Sequence, residues 1–142
     1  MAYERLLGLD MGEKRIGVAI SDEMGMIASP LLTINAAGDV AGELRTLIER
    51  YGIARVIVGL PIGLSGREGP QAKTVRVAAE ALAANLGIEF VYSDERLSSA
   101  VAEQAQIRQG TRRDKRKQNI DNIAAAVILQ GYLDEQRWKI GR

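Results

Sequence analysis

The chain has 142 residues, 46% of them apolar, and a formal net charge of only +1. That length suits one domain with one core, spanning 1–142. It contains neither cysteine nor histidine, which excludes thiolate nucleophiles, thiolate zinc sites, Ser-His-Asp triads and imidazole metal ligands. Catalysis must then come from carboxylates, hydroxyls, Lys, Arg or a bound ion, and carboxylates with a hard cation are the strongest pairing left. No apolar run approaches the roughly 20 residues of a membrane span. The first residues lack a signal-peptide pattern. A cytoplasmic protein without a membrane partner is the expectation.

Residues 5–10 read as a strand, 11–13 as a tight turn and 15–21 as the returning strand. A third strand is expected over 27–34, where Pro30 points to an edge position or a bulge. The period then changes. Leu44, Leu47 and Ile48 stand at helical spacing within 40–51, and Gly52 follows as a stop. The β-branched run 55–59 predicts a buried strand. A loop rich in Gly and Pro follows over 60–70, then an Ala-rich helix over 71–86 ended by Gly87. A strand over 88–92 and a helix over 98–109, ended by Gly110, come next. Residues 111–118 read as a basic loop and 119–135 as the final helix, with 136–142 as a frayed tail. Antiparallel strands followed by alternating helices and strands predict an α/β fold, a mixed five-stranded sheet flanked by helices.

Three acidic positions stand out. Asp10 ends the first strand just before Gly12, so its carboxylate projects from the sheet edge. The alternative is a turn-forming Asp bonded to its own backbone. Asp94 and Glu95 follow the strand over 88–92, and the carboxyl ends of parallel strands line ligand crevices. Acids near a helix start are also stabilised by its dipole. Alternation does not choose between this pair, because the chain is leaving the strand. Asp121 falls in the first turn of the final helix, ahead of Ala124, Ala125 and Ala126. That small-residue face would let the helix approach the sheet and carry Asp121 to the strand ends; the alternative is that the alanines merely favour helix. Three carboxylates meeting at one sheet edge would bind Mg²⁺ or Mn²⁺ through oxygen.

In combination the motifs are specific. Leu9-Asp10-Met11-Gly12 with Lys14-Arg15-Ile16-Gly17-Val18 comes first, then Val58-Gly59-Leu60-Pro61. Asp94-Glu95-Arg96-Leu97-Ser98 follows, and Asp121 runs into Ala124-Ala125-Ala126. Together they resemble the YqgF/RuvX family over nearly the whole chain. The resemblance implies a ribonuclease H-like fold. It implies a Holliday-junction resolvase or a nuclease that matures the small-subunit ribosomal RNA precursor. It also implies that Asp10, Glu95 and Asp121 are the catalytic, metal-binding acids of a bacterial cytoplasmic enzyme able to form a homodimer. Many ribonuclease H-like enzymes use a fourth carboxylate. None is obvious here, because Asp134 lies three turns or more beyond Asp121.

The charge is unevenly distributed. Residues 108–117 hold Arg108, Arg112, Arg113, Lys115, Arg116 and Lys117 against a single acid, Asp114, so the rest of the chain is net acidic. Basic residues just ahead of Asp121 suit salt-sensitive attraction to a phosphate backbone. Lys14 and Arg96 neighbour the acids, and Arg67 sits in a loop with Gly63, Ser65, Gly66 and Gly69. All three are candidates for phosphate contact and equally for solvated surface charge. Aromatic residues are only 4%, too few for a base-stacking platform, so recognition of backbone and shape is expected. One rival reading is a catalytically inactive nucleic-acid-binding protein of the same fold. Another is an actin-like or sugar-kinase fold, which shares the Asp-x-Gly turn but needs two such domains around its nucleotide. The preferred reading is a metal-dependent nuclease acting on junction DNA, a ribosomal RNA precursor, or both.

Overall fold

Small residues decide how closely the layers of this fold approach one another. The protein is described from a computed structural model over residues 4–61, 69–94 and 113–140. Strands β1 (Arg5–Met11) and β2 (Arg15–Ser21) form an antiparallel hairpin in which Leu9 faces Val18 and Asp10 faces Gly17. The backbone N–H of Gly12 donates to the Arg15 carbonyl at 3.0 Å, closing the turn through Glu13 and Lys14. β3 (Ala28–Asn35) pairs antiparallel with β2, and the register slips between Val18 and Ala19, where Ala19 faces Pro30. Proline lacks the N–H a ladder needs, and both the edge position and the irregularity accommodate it.

Helix α1 (Val40–Tyr51) is capped by Asp39, whose Oδ1 accepts from the Gly42 N–H at 3.0 Å, and stops at Gly52 with φ 63°. β4 (Ile53–Leu60) then runs parallel to β1. Helix α2 (Pro70–Leu86) starts on a proline, whose missing N–H costs nothing there, and ends at Gly87. β5 (Glu89–Asp94) runs parallel to β4. The last described element is helix α3 (Arg113–Ile140). The five-stranded sheet has the order β3-β2-β1-β4-β5, the mixed sheet expected from the sequence. The helix expected over 98–109 lies outside the described residues.

Four expectations change. Residues 113–118 are helical, not a loop. Arg, Lys and Gln are good helix formers, and neither glycine nor proline interrupts them after Gly110. Asp121 is therefore roughly two turns inside the helix, beyond the reach of the N-terminal dipole. At its other end α3 continues to Ile140 in place of a frayed tail. β5 also extends through Asp94, which is a strand residue and not part of the following segment.

The sheet buries both faces. On one, Leu7, Leu9, Ile16, Val18, Val56 and Val58 pack against Leu44 and Leu47 of α1 and Ala72, Val75 and Ala79 of α2. On the other, Leu6, Ala19 and Ile57 meet Ala125, Ala126, Ile128, Leu129 and Leu133 of α3. Each fully buried Leu or Ile contributes about 1.5–3 kcal/mol. The alanines fill a layer with almost no depth, because two glycines lie beneath them. A Cβ on Gly8 would stand 2.8 Å from Leu129 Cβ and 2.9 Å from the Ala125 carbonyl oxygen. One on Gly17 would stand 2.0 Å from the Asp121 carbonyl oxygen.

Hydrogen bonds complete the docking of α3. Gln130 accepts from the Ala28 N–H at 2.8 Å and donates to the Met26 carbonyl at 2.9 Å, tying the helix to the edge strand. Buried Ser21 accepts from the Leu6 N–H at 2.8 Å. At the β2–β3 turn, Asp22 accepts from the Met26 and Ile27 N–H groups, which holds its carboxyl below the usual aspartate range. No helix among the described residues is long and apolar enough to cross a membrane.

Two glycines of this fold should respond oppositely to alanine. Gly17→Ala forces a methyl into backbone and should destabilise by about 1–3 kcal/mol or more. Gly131 is exposed within α3 with nothing near its missing Cβ, so Gly131→Ala should stabilise by about 0.5–1 kcal/mol. Urea unfolding of the two variants checks both signs.

Candidate active site

Strands β1, β4 and β5 are parallel to one another and end together. Leu9 is level with Val58, and Leu60 with Asp94. Their carboxyl ends form one rim, the place where open α/β sheets carry their ligands. Alternation along β1 sends Leu9 into the core beneath α1 and α2 and turns Asp10 to the α3 face. Directly opposite Asp10 on β2 is Gly17. The space a side chain would take there is filled by the backbone of Asp121. Asp10 and Asp121 thus share one face and one end of the sheet, brought together by a position that has no side chain.

Both carboxylates are half-buried. The Asp121 side chain keeps 25% of its surface and forms an ion pair with Arg15, whose Nε donates to Oδ2 at 3.1 Å. The next residue is anchored as well: the Thr33 hydroxyl donates to Asn122 Oδ1 at 2.6 Å. Strands β2 and β3 therefore each hold one residue of the same helical turn. Arg15, Thr33 and Asn122 were not singled out from the sequence. Arg15 carried a usable signal, because it lies two residues before Gly17 and so on the same strand face as Asp121's contact. Thr33 and Asn122 carried none.

The remaining predicted positions fall unevenly. Lys14 is exposed in the turn between β1 and β2, at the rim. Arg113, Lys115, Arg116 and Lys117 occupy the first turns of α3, which extend about 12 Å beyond Asp121 at 1.5 Å per residue. Glu95 directly follows the last residue of β5 and lies outside the described residues, as do Arg67, Arg96 and Arg112. Among the described residues no three acids converge as a metal-binding group; two of the expected three, Asp10 and Asp121, are brought together. An apolar groove of about 400 Å³ between α1 and α2, lined by Met11, Ile16, Val40 and Leu82, opens on the opposite face and contains neither acid. Carboxylate oxygens at an open rim can serve a hard divalent cation and leave room for an extended substrate.

A family model described as RuvX, Holliday junction resolvase, matches residues 4–135. The chain belongs to the RuvX family. A relative from Lactococcus lactis subsp. lactis, assigned as a pre-16S rRNA nuclease, is 44% identical over 97% of this chain and 99% of its own. One from Moorella thermoacetica with the same assignment is 45% identical over 92% and 94%. Among solved structures, T. thermophilus RuvC in complex with a Holliday junction substrate aligns with a TM-score of 0.58 and 12% identity, over 96% of this chain and 97% of that one. The fowlpox virus resolvase with junction DNA gives 0.54 and 13%, over 93% and 98%. At such identities the likeness is one of fold, and that fold is the ribonuclease H-like one.

The Thr33–Asn122 bond offers a test of how this RuvX-family chain seats its helix. Thr33→Val should cost about 0.5–1.5 kcal/mol. In a double-mutant cycle with Asn122→Ala the two losses should not add. Additive losses would mean that the bond does not hold the helix.

Proposed function

We propose that this chain is a divalent-metal-dependent nuclease that hydrolyses phosphodiester bonds in structured nucleic acid, a Holliday junction or the precursor of 16S ribosomal RNA. The observation that carries the reading is the meeting of Asp10 and Asp121 on one face of the carboxyl rim, beside the basic first turns of α3. Asp10, Glu95 and Asp121 are the metal-binding and catalytic set in this reading, with Mg²⁺ or Mn²⁺ as the cation. The donor chemistry fits: both described acids are half-buried oxygen donors at a rim with a neighbouring cationic residue.

A bound divalent ion would supply what a chain without histidine lacks, a means to generate hydroxide near neutral pH and to neutralise phosphate charge. The chain's own residues do the rest. Asp10 presents its carboxylate from a strand, where the backbone is rigid, and Asp121 from a helix clamped at two strands. The packed α3 layer shields one side of both acids from bulk water, which strengthens their hold on a cation. Lys14, Arg67, Arg96, Arg112, Arg113, Lys115, Arg116 and Lys117 draw in the phosphate backbone. Their contacts carry no sequence information, so shape decides the substrate. A junction presents two equivalent strands, and a homodimer would set one site on each. The same reading places the enzyme in the cytoplasm.

Asp10→Asn keeps shape and removes charge. It should melt like the parent and still bind junction DNA. Cleavage with Mn²⁺ should fall by at least about 100-fold, the upper end of the loss typical when an outer-shell partner is removed. Unchanged turnover would end the assignment.

The basic residues should act on binding and the acids on chemistry. Replacing Arg112, Arg113 and Lys115 with Ala should weaken affinity alike for unrelated sequences. The log–log salt slope should fall by about 0.7–0.9 per lost contact. A slope identical to the parent's would remove this segment from the interface.

A further inference from the structure

We propose that Arg15 is the resident counter-ion of the acidic site, a positioning residue that occupies one oxygen of Asp121 and competes with a divalent cation for it. The inference rests on the reading that Asp10 and Asp121 hold that cation. Arg15 opens β2 on the face that carries Gly17. The residue across the hairpin from it, Gly12, has no side chain, so the arginine meets no side chain there as it reaches Asp121. To Asp121 it offers Nε alone, 3.1 Å from Oδ2, and not the two-pronged fork that arginine forms with a carboxylate in its strongest pairs. Among the described residues Oδ1 of Asp121 has no hydrogen-bond partner.

Asp10 and Arg15 are diagonal neighbours across the hairpin, which places them roughly 7–8 Å apart, somewhat less at Cβ. The Arg15 guanidinium therefore belongs to the same face as both acids. Without a metal it relieves the repulsion between two carboxylates on one face. With a metal it is a like charge beside the incoming cation.

The alternative is that Arg15 merely fastens α3. The helix does not need it for that. Thr33 and Asn122, the Gly17 contact, the two bonds of Gln130 and the buried alanines and leucines already fix its place. Both side chains of the ion pair keep about a quarter to a third of their surface, 32% for Arg15 and 25% for Asp121. Solvent screens the pair without abolishing it. The two roles differ in sign. A fastener, once removed, loosens Asp121 and weakens metal binding. A competing cation, once removed, strengthens it.

Mn²⁺ titration of the full chain by calorimetry, without nucleic acid, reads that sign. Arg15→Gln and Arg15→Ala should lower the Mn²⁺ Kd by about two- to fivefold, the scale of a partly exposed ion pair. Arg15→Lys keeps the charge and should stay near the parental Kd. Thermal melts confirm that each variant is folded. Equal or weaker Mn²⁺ binding by the two neutral variants overturns the proposal, and so does an Arg15→Lys protein that binds as tightly as they do. Asp121→Asn separates this from the wider reading. If it binds Mn²⁺ as the parent does, the metal site itself is misassigned and the role of Arg15 falls with it.

Discussion

The backbone of α3 rests directly on Gly8 of β1 and Gly17 of β2, and the rest of the molecule is arranged around that approach. At Gly17 the helix backbone meets the strand directly, and at Gly8 the Ala125 carbonyl and the Leu129 side chain close on the bare backbone. Ala124, Ala125 and Ala126 are buried because the gap has room for little more than a methyl group. The helix is thereby held in register along its axis. Gln130 meets the edge strand at one end, and Asp121 comes to lie beside Asp10 at the other. A larger residue at Gly17 would lift the helix where the proposed chemistry needs it closest.

This arrangement separates stability from function. The broad face beneath α1 and α2 carries the larger apolar cluster. The α3 face is thinner, built from alanines and a few long aliphatics, and it carries both described acids. The groove between α1 and α2 is an apolar cavity of about 400 Å³, yet a polymer with a charged backbone does not call for an apolar cavity. An open rim with carboxylates, flanked by a basic helix start, suits a phosphodiester that must enter from the side.

The same rim explains how a chain without histidine can belong to a family of nucleases. Among the described residues the charge balance at the site is set by few groups: two acids on one face, one arginine in contact with Asp121, and the basic first turns of α3. Arg15 belongs with the acids, because strand alternation places it on their face and it pairs with Asp121. Sequence distance conceals this. Arg15 and Asp121 are 106 residues apart yet share a hydrogen bond.

The sequence alone determined the order of the described elements, the five strands, the choice of an edge or a bulge for Pro30 and the helix stops at Gly52 and Gly87. These follow from local rules of period, dihedral freedom and missing donors, which act within a few residues. It also named Asp10 and Asp121, through motifs read in combination. It misjudged where α3 begins, because a run of basic residues resembles a solvated loop although arginine and lysine are good helix formers. Only the tertiary structure decided that Gly17 is the seat of Asp121, that Arg15 is its partner, and that Thr33 and Asn122 clamp the same turn. Those pairings join residues about 90 to 106 positions apart. They depend on which face each strand turns to α3 and on how near the helix comes, and no local pattern encodes either distance.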